Sequence, residues 1–102
     1  MAYLLAGLHV KYVVAYDIEP DRVRARVAKV LECYGARVQE SVFECDLTDT
    51  DLKALLIRLK KELKDPENGG ILFYRLCKTC FEESFGIGRL MRPKALPASI
   101  VI

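Results

Sequence analysis

Apolar residues fill both alternating positions of residues 11–18 (KYVVAYDI), a run rich in valine and tyrosine. Such a pattern predicts a central strand covered on both sides. Glu19-Pro20 then opens a helix, since proline suits the first turn. Val23, Val27, Val30, Leu31 and Tyr34 recur at helical spacing, and Gly35 is a natural stop. The opposite helix face carries Arg22, Arg26 and Lys29, with Arg24 and Glu32 near its margins. Residues 36–45 (ARVQESVFEC) predict a second strand. Its alternation slips between Val42 and Phe43, so either both faces are partly covered or a bulge lies there.

Thr48 and Asp51 form a capping-box-like pair, with Leu47 placed to staple onto Leu52. Leu52, Leu55, Leu56, Leu59 and Leu63 continue as an apolar stripe, with Lys60, Lys61, Glu62 and Lys64 as a solvated face. Residues 65–70 (DPENGG) predict a turn. Residues 71–77 (ILFYRLC) are apolar on both faces apart from Arg75, which predicts another central strand. Residues 84–90 (SFGIGRL) read as a fourth strand, and residues 98–102 (ASIVI) as a short terminal one. The order is βαββαβ with an extra C-terminal edge strand, an α+β ferredoxin-like sandwich whose first and third strands are expected to be a central parallel pair. Two helices cover one face, so the second apolar face needs another cover. A homodimer packed sheet against sheet supplies it most simply, with the terminal strand pairing at the dimer edge. Residues 1–10 then form an extension, 11–92 the domain and 93–102 the tail.

Composition narrows the class. At 102 residues the chain is one domain, and 52% hydrophobic with 29% charged residues marks it as globular rather than disordered. A net charge of +2 neither demands nor excludes nucleic acid, so the placement of the arginines matters more. The first nine residues (MAYLLAGLH) have no basic leader, and no segment is long enough to cross a membrane, so a cytoplasmic protein with no membrane partner is expected. Asparagine and glutamine occur once each, a depletion typical of thermophilic proteins.

The chemistry starts with Asp17, a lone acid closing an otherwise apolar strand and followed at once by Arg22, Arg24 and Arg26. One carboxylate is too few for a self-sufficient metal site. Taken as structure alone, Asp17 caps the next helix or pairs with an arginine. The arginines are then a solvated face, and Tyr16 and Phe43 are core aromatics.

A strand ending in YDI, a basic helix, then GARVQESVFECDL, a leucine helix, a turn and ILFYRLC together resemble the small CRISPR-associated family of spacer acquisition in antiviral defence (Cas-two). That resemblance implies a homodimeric, ferredoxin-like, Mg²⁺-dependent endonuclease, with Mn²⁺ as an alternative ion, hydrolysing phosphodiester bonds in RNA or double-stranded DNA. The strand-end acid, matching Asp17, is the implied metal and catalytic residue. Tyr16, Arg24, Arg26, Arg37, Ser41 and Phe43 match supporting positions. Arg22, beside them in sequence, joins them as a phosphate-contact candidate. The same resemblance implies an alternative: a non-catalytic dimeric adaptor that bridges CRISPR integrase subunits and holds prespacer DNA. Glu40 and the FEESF segment at 81–85 depart from the common pattern.

Cys77-Lys78-Thr79-Cys80 has zinc or redox spacing. Zinc needs two further ligands, and Cys33 and Cys45 lie on other elements. A thioredoxin-like motif would sit at a helix start, whereas this one follows a strand, so buried or disulfide-bonded structural cysteines are expected. His9 lies outside the domain. Gly69-Gly70 and Gly86-Ile87-Gly88 serve turns rather than a phosphate loop.

Overall fold

Alternation along the first strand sets the architecture. In β1 (Val10–Ile18), Val14, Tyr16 and Ile18 are buried while Asp17 is exposed, as successive side chains must point to opposite faces. The computed structural model describes residues 8–90; the start of the extension and the whole of the tail, with the strand expected at 98–102, lie outside them. After β1 come α1 (Asp21–Glu32), β2 (Gly35–Gln39), β3 (Val42–Leu47) and α2 (Asp49–Glu62). A 3-10 turn (Pro66–Asn68), β4 (Gly69–Leu76) and α3 (Lys78–Glu82) follow.

The sheet runs in the order β2-β3-β1-β4. All its pairings are antiparallel, with Val14 opposite Phe43 on one side and Phe73 on the other. This is the expected ferredoxin-like α+β order, with several corrections. Residues 36–45 are not one strand: the chain turns at Glu40-Ser41 and returns as β3. The irregularity in that pair falls between Arg37 and Gln39, not at Val42-Phe43. The extra reversal makes both neighbours of β1 antiparallel to it, so the central parallel pair is absent. β4 pairs only with β1 among the described residues. Residues 84–90 hold one isolated bridge at Gly86 instead of a strand.

The core lies between the sheet and two helices. Val14, Tyr16 and Ile18 meet Phe43, Cys45 and Leu47 of β3, and Val23, Val27, Val30, Leu31, Leu55 and Leu59 close over them. α2 starts where the sequence places it. Thr48 Oγ1 accepts the Asp51 N–H at 3.1 Å, and the Asp51 carboxylate accepts the Thr48 N–H at 3.2 Å. Gly35 lets β2 begin tight against β3, because a Cβ there would run into the Glu44 carbonyl and the Cys45 sulfur.

Candidate metal and nucleic-acid site

Strand alternation separates two groups that are neighbours in sequence. Asp17 points away from the helices, onto the open side of the sheet. Its ladder partner is Gly70, which places no side chain beside the carboxylate. Among the described residues Asp17 has no ion pair or side-chain hydrogen bond, so it neither caps α1 nor pairs with an arginine. Pro20 is the helix N-cap, with no side-chain cap. No cluster of three or more His, Cys, Asp or Glu residues suited to a metal occurs among the described residues. Asp17 therefore stands, among the described residues, outside any ready-made metal cluster. That fits Mg²⁺ as part of a shared site, because this ion retains waters and takes only one or two carboxylates.

The open side is also apolar. Leu72 is 60% exposed and Tyr74 54%; they stand opposite Ala15 and Val13 in the ladder. Glu44 lies across from Val13 on the other flank, and its Oε1 is buried without a hydrogen-bond partner. The sequence reading passed over Glu44. Its one signal is an acid alternating with Phe43 and Cys45, which places it on the face away from the core.

Tyr16 points to the helix side and ties β1 to the hairpin turn. Its hydroxyl donates to the Glu40 carbonyl at 3.3 Å, and its N–H donates to the Ser41 carbonyl at 3.1 Å. Beside it lies a groove of about 300 Å³ lined by Tyr16, Asp21, Arg24, Arg37, Glu40 and Ser41. Arg24 donates to the Ile18 carbonyl at 2.8 Å and the Glu19 carbonyl at 3.1 Å, and it pairs with Asp21. It thus fastens the strand-to-helix corner while keeping an exposed edge. The Arg37 guanidinium lies 5.2 Å from the centre of the Phe43 ring, a cation–π contact that aims it along the groove.

Tyr16, Arg24, Arg37 and Ser41 are brought together, with Phe43 buried beneath them. Arg26 is elsewhere: its Nε meets Glu62 at 2.9 Å in the cleft between α1 and α2. Arg22 is exposed and makes no ion pair among the described residues. Asp21, which the sequence reading did not single out, and Glu40, read there only as a departure from the common pattern, moderate the charge of the groove. Asp21 was signalled by its i,i+3 spacing from Arg24.

The cysteines are four free thiols, of which only Cys45 is buried, so the expected disulfides and buried packing do not hold for the others. The CxxC does sit at a helix start, with Cys77 as the N-cap of α3. No helix among the described residues is long and apolar enough to cross a membrane.

These features define a ferredoxin-like α+β protein with a strand-end acid on an uncovered sheet face and a small arginine-bearing groove on the other side. The chain belongs to the CRISPR-associated protein Cas2 family, whose model matches residues 10–84. It is 46% identical over 77 residues to "CRISPR-associated endoribonuclease Cas2 1" of Chloroflexus aurantiacus, covering 76% of this chain and 83% of the relative. The crystal structure of Streptococcus pyogenes Cas2 at pH 6.5 superposes with a TM-score of 0.68 at 31% identity, over 76% of this chain and 99% of that one. A chain from a structure described as a partial Cas6-RT-Cas1–Cas2 complex gives 0.60 at 33% identity, over 76% and 89%.

Proposed function

We propose that this chain acts as a homodimer joined through the open face of its sheet, and that it hydrolyses phosphodiester bonds in RNA or double-stranded DNA with Asp17 as the metal-holding residue. The observation that carries this is the placement of Asp17: an exposed carboxylate, without an ion pair among the described residues, at the end of an apolar face. Face-to-face packing of two such sheets doubles the acid and covers Leu72 and Tyr74 together. The names of the relatives, endoribonucleases and endonucleases, support the reaction class.

Mg²⁺ or Mn²⁺, when bound, supplies charge neutralisation at the phosphodiester and a more acidic water. Asp17 holds the ion, and Gly70 keeps the approach open. Arg24 and Arg37 contact backbone phosphates from the groove, where the backbone N–H of Tyr16 keeps Ser41 in place.

The Asp17→Asn variant tests this. It should keep its mass in solution and its thermal unfolding, yet lose at least about 100-fold in cleavage of labelled RNA or duplex DNA in Mg²⁺, in line with removal of an essential electrostatic group. Chelation should abolish the wild-type activity and added Mg²⁺ or Mn²⁺ restore it. Full cleavage by the variant sinks the nuclease reading.

A second reading follows from the separation of Asp17 from the arginine groove and from the complex with Cas1 named above. In it the dimer is an adaptor that bridges integrase subunits and grips prespacer DNA without cutting it. It gains if Asp17→Asn supports spacer acquisition unchanged while Arg37→Ala does not.

A further inference from the structure

The Cys77-Lys78-Thr79-Cys80 segment belongs to neither the open face nor the groove. β4 ends at Leu76, and the chain passes at once into α3, with Cys77 as its N-cap. The Cys77 sulfur accepts the Cys80 N–H at 3.2 Å, so it is folded back toward the residue that carries the second thiol. Both residues are exposed and both thiols are free. α3 has only five residues, so the arrangement rests on these direct contacts and not on a helix field. The neighbouring Cys80 thiol, with the backbone N–H groups of Cys80 and Thr79, holds Cys77 below the ordinary thiol range. The neighbouring Cys77 side chain pushes Cys80 up. Nearby Glu83 opposes ionisation of both.

We propose that Cys77 and Cys80 form a dithiol–disulfide couple that exchanges with small-molecule disulfides, Cys77 attacking and Cys80 resolving. The Cys77 thiolate forms a bond to one sulfur of a disulfide RSSR, and the other sulfur leaves as RS⁻. Cys80 gives its proton to solvent and attacks the Cys77 sulfur. The Cys77–Cys80 bond forms and the second RS⁻ departs. Two protein thiols are oxidised, one RSSR is reduced to two thiols, and the protons released match those the leaving thiolates take up.

The other cysteines are not placed to compete. Cys45 is buried, and desolvation, helped by the Glu44 charge, pushes its thiol up to about 11. Cys33 is exposed, but its sulfur donates to the Lys29 carbonyl at 3.6 Å on α1. The Lys11 ammonium sits 4.9 Å from the centre of the Phe81 ring, fixing α3 against β1. Lys11 faces Leu76 in the ladder, whereas Asp17 faces Gly70, so the couple and the acid occupy opposite ends of β4.

The test uses the full reduced chain equilibrated with graded ratios of oxidised to reduced glutathione, quenched in acid, alkylated and mapped by peptide mass spectrometry. Cys77 and Cys80 should lose reactivity together as one intramolecular disulfide, while Cys33 and Cys45 remain alkylated. Cys80→Ser should trap glutathione on Cys77. Cys77→Ser should slow modification of Cys80 at least about tenfold, since the thiolate is the attacking form. Thermal unfolding establishes that both variants fold. Independent modification of the two cysteines, equal reactivity at Cys33, chain-to-chain disulfides, or stoichiometric zinc released on alkylating Cys77 would each overturn the couple.

Discussion

Along β1 every second residue belongs to a different surface, and the two surfaces have had different fates. On the helix side, Val14, Tyr16 and Ile18 are enclosed by α1, α2 and β3. On the open side Leu72 and Tyr74, close to Val13 and Ala15, remain exposed in the single chain. Both surfaces are rich in apolar groups, so hydropathy alone does not separate them. What separates them is that the chain carries its own cover for one and none, among the described residues, for the other. Asp17, without an ion pair among the described residues, stands at the end of the uncovered surface, whereas Arg24 and Arg26 on the covered side are already paired within the chain. A face completed from within serves stability, and a face left incomplete is where association and chemistry are to be sought.

The sharpest break in that comparison is Phe43→Ala. Phe43 is fully buried and supports Arg37, so losing the ring should cost about 3–5 kcal/mol by urea unfolding. A cost below about 1 kcal/mol would mean that the helix side is not the core. Next is Gly69→Ala. Gly69 has φ 135°, and a Cβ there would strike the Asp17 carbonyl. Backbone strain plus the clash should cost about 2–3 kcal/mol, with cleavage falling further than stability explains because the Asp17 backbone must shift. Unchanged thermal unfolding would show that the β1–β4 end is loose rather than built.

Tyr74→Glu tests the open side. In a single chain it changes an exposed residue and should move stability by less than about 0.5 kcal/mol. In the proposed dimer it places a charge in a buried interface, and self-association by sedimentation equilibrium should weaken at least tenfold, about 1.4 kcal/mol. A variant that associates as wild type would move the interface off this face.

How much of this was legible depended on whether a local rule had the last word. The doubly apolar β1, the Thr48–Asp51 capping box and the leucine stripe of α2 are local patterns and could be read directly. The hairpin could not, because Glu40-Ser41 carries none of the Asn-Gly or Asp-Gly chemistry that marks tight turns. Hydrogen bonds from Tyr16, some 24 residues away, hold it instead. Missing that turn removed one chain reversal, which is why antiparallel neighbours were expected to be parallel. α3 is too short to show a helical period, so the CxxC was placed after a strand and its helix start went unseen. The separation of Asp17 from the arginines was available in principle. An acid one position after a buried tyrosine on a strand must point the other way, and only nearness in sequence suggested otherwise.

The smallest expected effect lies on the finished side and decides what its arginines are for. Arg26 and Glu62 meet at 2.9 Å, with both side chains substantially solvent-exposed. Such a pair contributes about 0.2–1 kcal/mol, and Glu62→Gln should cost no more than that at low salt and nothing near 1 M, where screening acts within about 3 Å. If Arg26 also contacts phosphate, Arg26→Ala should weaken duplex DNA binding and flatten its dependence on log salt by about one unit. Glu62→Gln should then do the opposite and tighten binding, because it removes the competing carboxylate and leaves the guanidinium free. Equal weakening by both substitutions would instead assign the pair to holding α1 against α2. Arg26 would then join Arg24 among the arginines whose first task is to complete the covered face.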